Sequence, residues 1–400
     1  MIVLARGDAV LPDRVLSEAT IVIDAGRIAA IEPGPIDVVH ATTIDASDCY
    51  IVPGFVDVHV HGVEGHDTLD GPNAVAAIAE RLPRYGVTAF CPTTVACPPG
   101  ALRAFLHQVR DARVAAAPGR ARVLPAHLES NFISADYRGA QPAACLRTPG
   151  AAANGGDFSA RDILGTIAAS RPDVGIVTLA PELPGALDLV AALAAAGHRV
   201  SLGHSGADYD TAIAAIEAGA RHATHLFNRM TPIAHRAPGL AGAVLSREEI
   251  AAELICDGYH VHPAMCRVAI AAKGPQGVMA ITDGTAASGL AAGSFARLGG
   301  QRIVARAEAA FLDDGTLAGS TLTMDRAFRN LVTRFGSTLV EAAAMCSTTP
   351  ARELGLTGFG VIAVGAVADL VVLDRGLRVV RTFIGGEPAG AVNEPSPAPV

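Results

Sequence analysis

The sequence contains no tryptophan, and aromatic residues make up only 4% of the chain. Lysine and arginine form no runs, and acidic residues outnumber them, so the formal net charge is −8 at pH 7. Nucleic acids and anionic membranes attract clustered cations, and therefore neither is an expected partner. An anionic small-molecule substrate would need arginines placed locally in its site.

Recognisable cysteine patterns are missing as well. The seven cysteines are odd in number and scattered, and no two of them are spaced as Cys-x-x-Cys. This argues against a disulfide framework and against a thiolate zinc site. We expect reduced thiols, most of them buried.

Long apolar runs are also absent, although hydrophobic residues make up 50% of the chain. Alanine-rich stretches such as 187–197 are shorter than the roughly 20 apolar residues that span a bilayer, so they predict buried helices. Residues 1–14 lack the basic segment, apolar run and cleavage site of a secretory signal. We therefore expect a cytoplasmic protein without membrane contact.

The order of predicted strands and helices along the chain predicts an α/β fold, a (β/α)8 barrel with a small composite β-sandwich domain. Residues 53–359 alternate apolar strands with helical stretches, whereas 1–52 and 360–387 contain short strands and turns. Neither outer piece can bury a core alone, so we expect the two to pair and pack on the barrel. The Pro- and Ala-rich residues 388–400 are predicted to be a disordered tail.

Two histidines share one face of the first predicted barrel strand. In Gly54-Phe-Val-Asp-Val-His-Val-His-Gly62, the two-residue period of a strand directs Asp57, His59 and His61 to one side. Neutral imidazoles are good ligands for Zn, Fe, Ni or Mn. Taken alone, the pair fits a metal site and a pair of hydrogen-bonded core histidines equally well.

Four further polar residues each end an apolar, β-type run: Glu129, His204, His225 and Asp283. Active sites of (β/α)8 barrels lie at the carboxyl ends of the strands, so we expect these residues to converge with the histidine pair. One predicted helix, with Asp208 as N-cap and Gly219 as C-cap, separates His204 from His225. The two histidines are therefore predicted to be neighbours that can bind one metal.

These residues resemble the amidohydrolase superfamily and, within it, the N-acetylglucosamine-6-phosphate deacetylases. The similar stretches are His127-Leu-Glu129, Gly203-His-Ser205, His225-Leu-Phe-Asn228, Arg236-Ala-Pro-Gly-Leu-Ala-Gly242, Asp257-Gly-Tyr-His260, Thr282-Asp283 and Ala318-Gly-Ser-Thr-Leu-Thr323. The similarity covers nearly the whole chain. It implies a barrel with a composite β-sandwich, hydrolysis of N-acetylglucosamine 6-phosphate to glucosamine 6-phosphate and acetate, and a homodimer.

By this resemblance, one divalent metal would be held by Glu129, His204 and His225. His59 and His61 would give capacity for a second ion, with Glu129 bridging. Zinc is the expected metal, with Fe, Mn, Ni or Co as alternatives. Asp283 would be the catalytic acid and base, taking a proton from water and passing it to the departing nitrogen.

The resemblance also implies which residues contact the sugar phosphate: Asn228, Arg236 and His260. An arginine fork binds phosphate bidentately; the alternatives are a surface role for Arg236 and a core role for His260. The chain departs from the family at Gln141, where a histidine is usual, and at Arg229, where a small residue is common. It also has Ser130 and Asn131 in place of Gly-Pro. These departures bear on substrate identity rather than on the deacetylation chemistry.

Two other functions stay open from the sequence. An amidohydrolase with this site could act on another N-acyl amino sugar, another N-acyl compound or a cyclic amide, because fold and metal site do not set the substrate. Glu129 occupies the place of the carbamylated lysine of dihydroorotase- and urease-like enzymes, which argues against those branches. A non-catalytic barrel scaffold would be expected to have lost metal ligands, and none is missing here.

Overall fold

The computed structural model describes residues 1–36, 38–115, 117–150 and 157–389. Its N-terminal strands are β1 (Ile2–Val10), β2 (Val15–Asp24), β3 (Arg27–Pro33), β4 (Thr42–Asp45) and β5 (Cys49–Pro53). β1 and β2 are antiparallel, as are β2 and β3, whereas β4 and β5 both run parallel to β1. β1 therefore has three partners, and the sheet branches there.

The next group of strands builds the barrel and its rim: β6 (Phe55–Val60), β7 (Gly62–Val63), β8 (His66–Asp67), β9 (Val87–Thr94), β10 (Arg122–Val123), β11 (Ala126–Glu129), β12 (Val174–Leu179), β13 (Arg199–Leu202), β14 (His222–Ala223), β15 (Ala251–Ile255) and β16 (Val278–Ile281). The parallel order is β6-β9-β11-β12-β13-β14-β15-β16. A bridge between Val60 and Gly284 joins the last strand to the first. Nearly all barrel-strand residues are buried, as expected for a sheet covered on both faces.

Helices surround the barrel: α1 (Ala74–Arg81), α2 (Pro99–Val114), α3 (Ala160–Ala169), α4 (Ala186–Ala195), α5 (Tyr209–Glu217), α6 (Gly239–Ser246), α7 (Pro263–Lys273), α8 (Met324–Thr333), α9 (Leu339–Ala343) and α10 (Thr349–Glu353). As predicted, Asp208 caps α5 by accepting a hydrogen bond from the backbone N–H of Thr211 at 2.8 Å. Gly219 follows α5 with a φ of +123°. Within the described residues, no helix has both the length and the apolar character needed to cross a membrane.

A four-stranded antiparallel sheet between β16 and α8 was not predicted. Its strands are β17 (Phe295–Leu298), β18 (Gln301–Ala305), β19 (Ala309–Leu312) and β20 (Leu317–Ser320). A two-glycine turn, with φ of +56° at Gly299 and +84° at Gly300, joins the first two strands. A bridge between Gly284 and Ser320 attaches this sheet to the mouth of the barrel.

The last strands are β21 (Leu370–Asp374), β22 (Val379–Ile384) and β23 (Glu387–Ala389). β21 pairs antiparallel with β5, so strands from both ends of the chain form one sheet in the order β23-β22-β21-β5-β1-β2-β3. The predicted fold class, a (β/α)8 barrel with a small β domain made from both termini, is confirmed. Of the predicted tail, residues 388–389 belong to β23, and 390–400 lie outside the described residues.

One ion pair ties this β domain to the barrel. Arg122 donates from Nε and Nη2 to the two carboxylate oxygens of Asp369, each at 3.2 Å, and the Asp369 side chain is 2% exposed. The same carboxylate accepts from the backbone N–H of Gly385 at 2.6 Å. All seven cysteines are free thiols; Cys49 is half-buried and the others are buried, as predicted.

Candidate active site

The carboxyl ends of the barrel strands surround one cavity. His61, Glu129, His204, His225 and Asp283 all line it. His59 lies beneath them, fully buried, with its Nε2 atom 3.2 Å from Nε2 of His61. The residues predicted to hold metal and to transfer a proton are therefore brought together.

Glu129 and two histidines form the first half of the site. Glu129 Oε1 lies 2.8 Å from Nε2 of His204 and 2.8 Å from Nε2 of His225. The two imidazole Nε2 atoms are 3.0 Å apart. Three donor atoms on three separate strand ends thus converge on one point.

His59 of β6 and His61, just after this strand, form the second half. Glu129 Oε2 lies 3.4 Å from Nε2 of His61, while its other oxygen is 3.8 Å from Nε2 of His59. Asp283 Oδ1 lies 3.4 Å from Nε2 of His59 and 3.5 Å from Nε2 of His61. Glu129 therefore faces both halves of the site.

Backbone strain marks three of these residues. His204, His225 and Asp283 have φ of +47°, +31° and +46°, in the left-handed region that non-glycine residues avoid. Each stands two residues beyond the last residue of its strand. Strain of this kind costs about 1–3 kcal/mol per residue and persists where the surrounding structure enforces it, commonly at functional sites.

The buried carboxylates of the site favour positive charge on two of the histidines beside them. Burial opposes protonation of His61, but the carboxylates of Asp283 and Glu129 raise its pKa to about 10. Burial also opposes protonation of His225, whose pKa Glu129 nevertheless raises to about 9. For His59, burial dominates and lowers the pKa to about 4. Two buried carboxylates facing imidazole nitrogens at such distances make a donor set that fits a divalent transition metal.

Asp57 lies on the same face of β6 but supports the site from below. Its Oδ2 accepts from the hydroxyl of Thr282 at 2.6 Å, and its Oδ1 accepts from the backbone N–H of Thr282 at 3.3 Å. Burial raises the pKa of Asp57 to about 7. Asp57 thus holds Thr282, the residue that precedes Asp283.

Gln141, one of the departures from the family pattern, lines the cavity in a fixed orientation. Its amide oxygen accepts from the backbone N–H of Ala96 at 2.7 Å, and its Nε2 donates to Oε2 of Glu129. Because a backbone N–H can only donate, the amide oxygen must face Ala96 and the NH2 group must face Glu129. Gln141 therefore presents a neutral donor beside the proposed metal ligand.

Two more of the departures, Ser130 and Asn131, point away from the cavity. Ser130 donates from its hydroxyl to the carbonyl oxygen of Thr178 at 2.5 Å. The Asn131 side chain donates to the carbonyl oxygens of Cys97 and Cys145, at 2.9 and 2.7 Å. Both side chains are buried and do not line the cavity, so they support the loop after β11 rather than contact a substrate.

The residues predicted to bind the sugar phosphate separate into two groups. Asn228, Arg229 and His260 line the cavity. Arg236, by contrast, is exposed on a turn held by a bridge between Ala234 and Ala237, and it does not line the cavity. A single chain therefore does not bring Arg236 to the site, and its contact with the sugar phosphate stays a prediction.

Two contributions to the site come from residues to which the sequence assigned no role. Leu298, Leu317 and Gly319, from the unpredicted four-stranded sheet, line the cavity. Glu253, in the middle of β15, lies 2.9 Å from Nδ1 of His59. The available signal for Glu253 was an acidic residue inside an otherwise apolar five-residue strand.

Known proteins resemble this chain over most of its length. Residues 50–392 match the model of the amidohydrolase family. N-acetylglucosamine-6-phosphate deacetylase of Rattus norvegicus is 40% identical over 354 residues, covering 86% of this chain and 84% of the relative. N-acetylgalactosamine-6-phosphate deacetylase of Escherichia coli O157:H7 is 37% identical over 365 residues, covering 90% and 92%.

Solved structures also resemble this chain. N-acetylglucosamine-6-phosphate deacetylase from Pasteurella multocida superposes with a TM-score of 0.89 at 27% identity, covering 98% of this chain and all of the other. A mutant deacetylase from Mycobacterium smegmatis, in complex with N-acetyl-D-glucosamine-6-phosphate, gives a TM-score of 0.87 at 32% identity, covering 98% and 99%. The chain therefore belongs to the amidohydrolase family of metal-dependent enzymes and, within it, to the N-acetylglucosamine-6-phosphate deacetylase group.

Proposed function

We propose that this enzyme hydrolyses the N-acetyl amide of N-acetylglucosamine 6-phosphate, releasing glucosamine 6-phosphate and acetate. The observation that carries the proposal is the convergence of Glu129, His204, His225 and Asp283 at the carboxyl ends of the barrel strands. The 40% identity to a rat enzyme named for this reaction supports it.

Glu129, His204 and His225 would hold one divalent ion, and His59 with His61 would offer a second position. Zinc suits imidazole and carboxylate donors best, with Fe, Mn, Ni and Co as alternatives that metal analysis would separate. When bound, such an ion lowers the pKa of a coordinated water towards about 7 and polarises the acyl carbonyl.

Asp283 would take the proton from the attacking water and deliver it to the amide nitrogen as the C–N bond breaks. Burial would raise the pKa of its carboxyl, but His59 and His61 lower it below the ordinary value. The carboxylate is therefore deprotonated at neutral pH, as a base must be. It also lines the cavity, where a substrate amide can reach it.

Substrate orientation would rest on the remaining lining residues. Gln141 uses one N–H of its amide for Glu129, and its second N–H would donate to the acyl oxygen. Arg229 lies at the cavity rim and packs against Gly139. A Cβ atom added to Gly139 would lie 2.9 Å from Nε of the Arg229 guanidinium. Arg229, Asn228 and His260 would contact the phosphate, because all three line the cavity. Arg236 is outside the cavity of one chain, and its phosphate contact stays a prediction.

Acetate release from a panel of N-acetylated amino sugars, with and without the 6-phosphate, tests the function. N-acetylglucosamine 6-phosphate is expected to give the highest kcat/KM. Removal of the phosphate should lower kcat/KM by about 10- to 100-fold for each charge-assisted hydrogen bond lost, taken as about 1.5–3 kcal/mol. Release from an unrelated N-acyl compound or cyclic amide, with none from the sugar phosphates, would refute the proposal.

The galactosamine epimer is a second candidate substrate, because the Escherichia coli O157:H7 relative named for it is 37% identical to this chain. The same panel would separate the two epimers. A homodimer is also proposed, from the family resemblance, and the expected cytoplasmic location stays a proposal. Light scattering after gel filtration, and cell fractionation, would test them.

A further inference from the structure

Glu253 is a buried carboxylate on a barrel strand whose other residues are apolar. It lies in the middle of β15, Ala251–Ile255, and is fully shielded from solvent. A buried carboxylate without a partner costs several kcal/mol, so its contacts indicate why it is there. Its Oε2 lies 2.9 Å from Nδ1 of His59 and 3.4 Å from the backbone nitrogen of His225. Glu253 therefore contacts both halves of the site from below.

The contact with His59 determines which ring nitrogen carries the proton. A hydrogen bond donated by Nδ1 to Glu253 places the proton on Nδ1 and leaves a lone pair on Nε2. That Nε2 atom is the one 3.2 Å from Nε2 of His61 and 3.4 Å from Oδ1 of Asp283. Glu253 thus presents the lone pair of His59 to the upper, open side of the site.

Among the described residues, no other imidazole ring lies as close to this carboxylate as His59. The nearby His127 has both nitrogens engaged, Nδ1 with the carbonyl oxygen of Val58 at 3.0 Å and Nε2 with the hydroxyl of Thr178 at 2.8 Å. Its Nδ1 is 3.7 Å from Oε1 of Glu253, and that oxygen has no hydrogen-bond partner among the described residues. The only imidazole ring within hydrogen-bond distance of Glu253 among the described residues is therefore that of His59.

In the first half of the site, a backbone group rather than a carboxylate fixes the tautomer of a histidine. His204 has its Nδ1 atom 2.8 Å from the backbone carbonyl oxygen of Tyr137, so a fixed main-chain group holds its tautomer. A change at Glu253 should therefore leave the Glu129–His204 pair in place and affect the half built on His59 and His61.

We propose that Glu253 is a positioning residue for the second metal position, holding His59 in the tautomer and ring orientation that a divalent ion requires. The proposal rests on the proposed metal-dependent deacetylase function. Loss of a carboxylate behind a metal-binding histidine typically weakens metal affinity 10- to 100-fold. We expect that weakening at the second position only.

The test is a titration of chelator-stripped protein with Zn²⁺ in competition with a chromophoric chelator, with bound zinc counted by elemental analysis. Wild-type protein is expected to bind two ions. Glu253→Gln keeps the size of the side chain, but its amide can also donate to Nδ1, so it no longer selects one tautomer. We expect the Kd of the weaker ion to rise 10- to 100-fold, with the tighter ion unchanged.

Glu353→Gln is the matched control, since Glu353 Oε2 lies 3.6 Å from Nε2 of His222, another buried histidine that does not line the cavity. Both zinc affinities should remain at the wild-type values in this control. Equal weakening of both ions in Glu253→Gln, no weakening at all, or a wild-type protein that binds one ion would each overturn the proposal. Acetate release by the wild-type enzyme tests the deacetylase function separately.

Should Glu253→Gln not fold, NMR of the ¹⁵N-histidine-labelled wild-type protein without metal reads the tautomer directly. A proton on Nδ1 of His59 is expected. A proton on Nε2 instead would overturn the proposal.

Discussion

Replacement of Asp283 by asparagine tests the role of this carboxylate in proton transfer separately from any role in metal binding. Asparagine keeps the size of the side chain and tolerates the left-handed backbone, with φ of +46°, that Asp283 adopts. It removes the basic oxygen. General acid–base catalysis contributes about 10²- to 10⁴-fold, so kcat should fall by that factor, equivalent to about 3–5 kcal/mol of barrier.

The structure also predicts what should survive in Asp283→Asn. Glu129, His204 and His225 lie within 3.0 Å of one another without help from Asp283, so the ion they hold should remain. Asp283 Oδ1 lies 3.4 Å from Nε2 of His59, so any metal loss should be confined to the second position.

The assay measures kcat as acetate released from N-acetylglucosamine 6-phosphate, together with metal content by elemental analysis. Asp67→Asn is a matched control: Asp67 is 1% exposed, accepts from the backbone N–H groups of Leu69 and Gly299, and does not line the cavity. Its kcat should stay near the wild-type value. A kcat for Asp283→Asn within tenfold of wild type, or full loss of the first ion along with activity, would refute the proton-transfer role.

Four further outcomes are expected. Glu129→Gln should lower both metal content and acetate release to background, because this carboxylate faces both halves of the site. Retention of metal in elemental analysis would contradict its role as a metal ligand. Gln141→Ala should reduce kcat/KM about 10-fold through loss of one hydrogen bond to the acyl oxygen, and an unchanged kcat/KM would remove Gln141 from substrate binding. Gly62→Ala should lower the free energy of unfolding by about 1–3 kcal/mol and impair catalysis, because the added Cβ would lie 2.7 Å from the backbone nitrogen of Ala286 and would also meet the carbonyl oxygen of His66. A urea denaturation midpoint equal to that of the wild type would contradict this expectation. Asp369→Ala should lower the free energy of unfolding by about 1–3 kcal/mol, because Arg122 and the backbone N–H of Gly385 lose their hydrogen-bond acceptor. The kcat should stay unchanged; a lowered kcat with wild-type stability would contradict this structural role.

The barrel and most of its site could be predicted because local patterns carry them. The two-residue period of β6 places His59 and His61 on one face, and the capping residues of α5 identify the helix between His204 and His225. The rule that barrel sites form at strand ends then brings Glu129 and Asp283 to the same cavity. Each step needs only neighbours in sequence and one general property of the fold.

The sequence by itself therefore determined the fold class and which side chains meet at the barrel mouth. Tertiary structure alone decided what lies beneath and around them. Glu253 reaches His59 across 194 positions of the chain, Arg236 turns outward on its loop, and the sheet of residues 295–320 covers part of the cavity. These features depend on how distant segments pack, and local periodicity, which records only which face of an element is buried, contains no information about that packing.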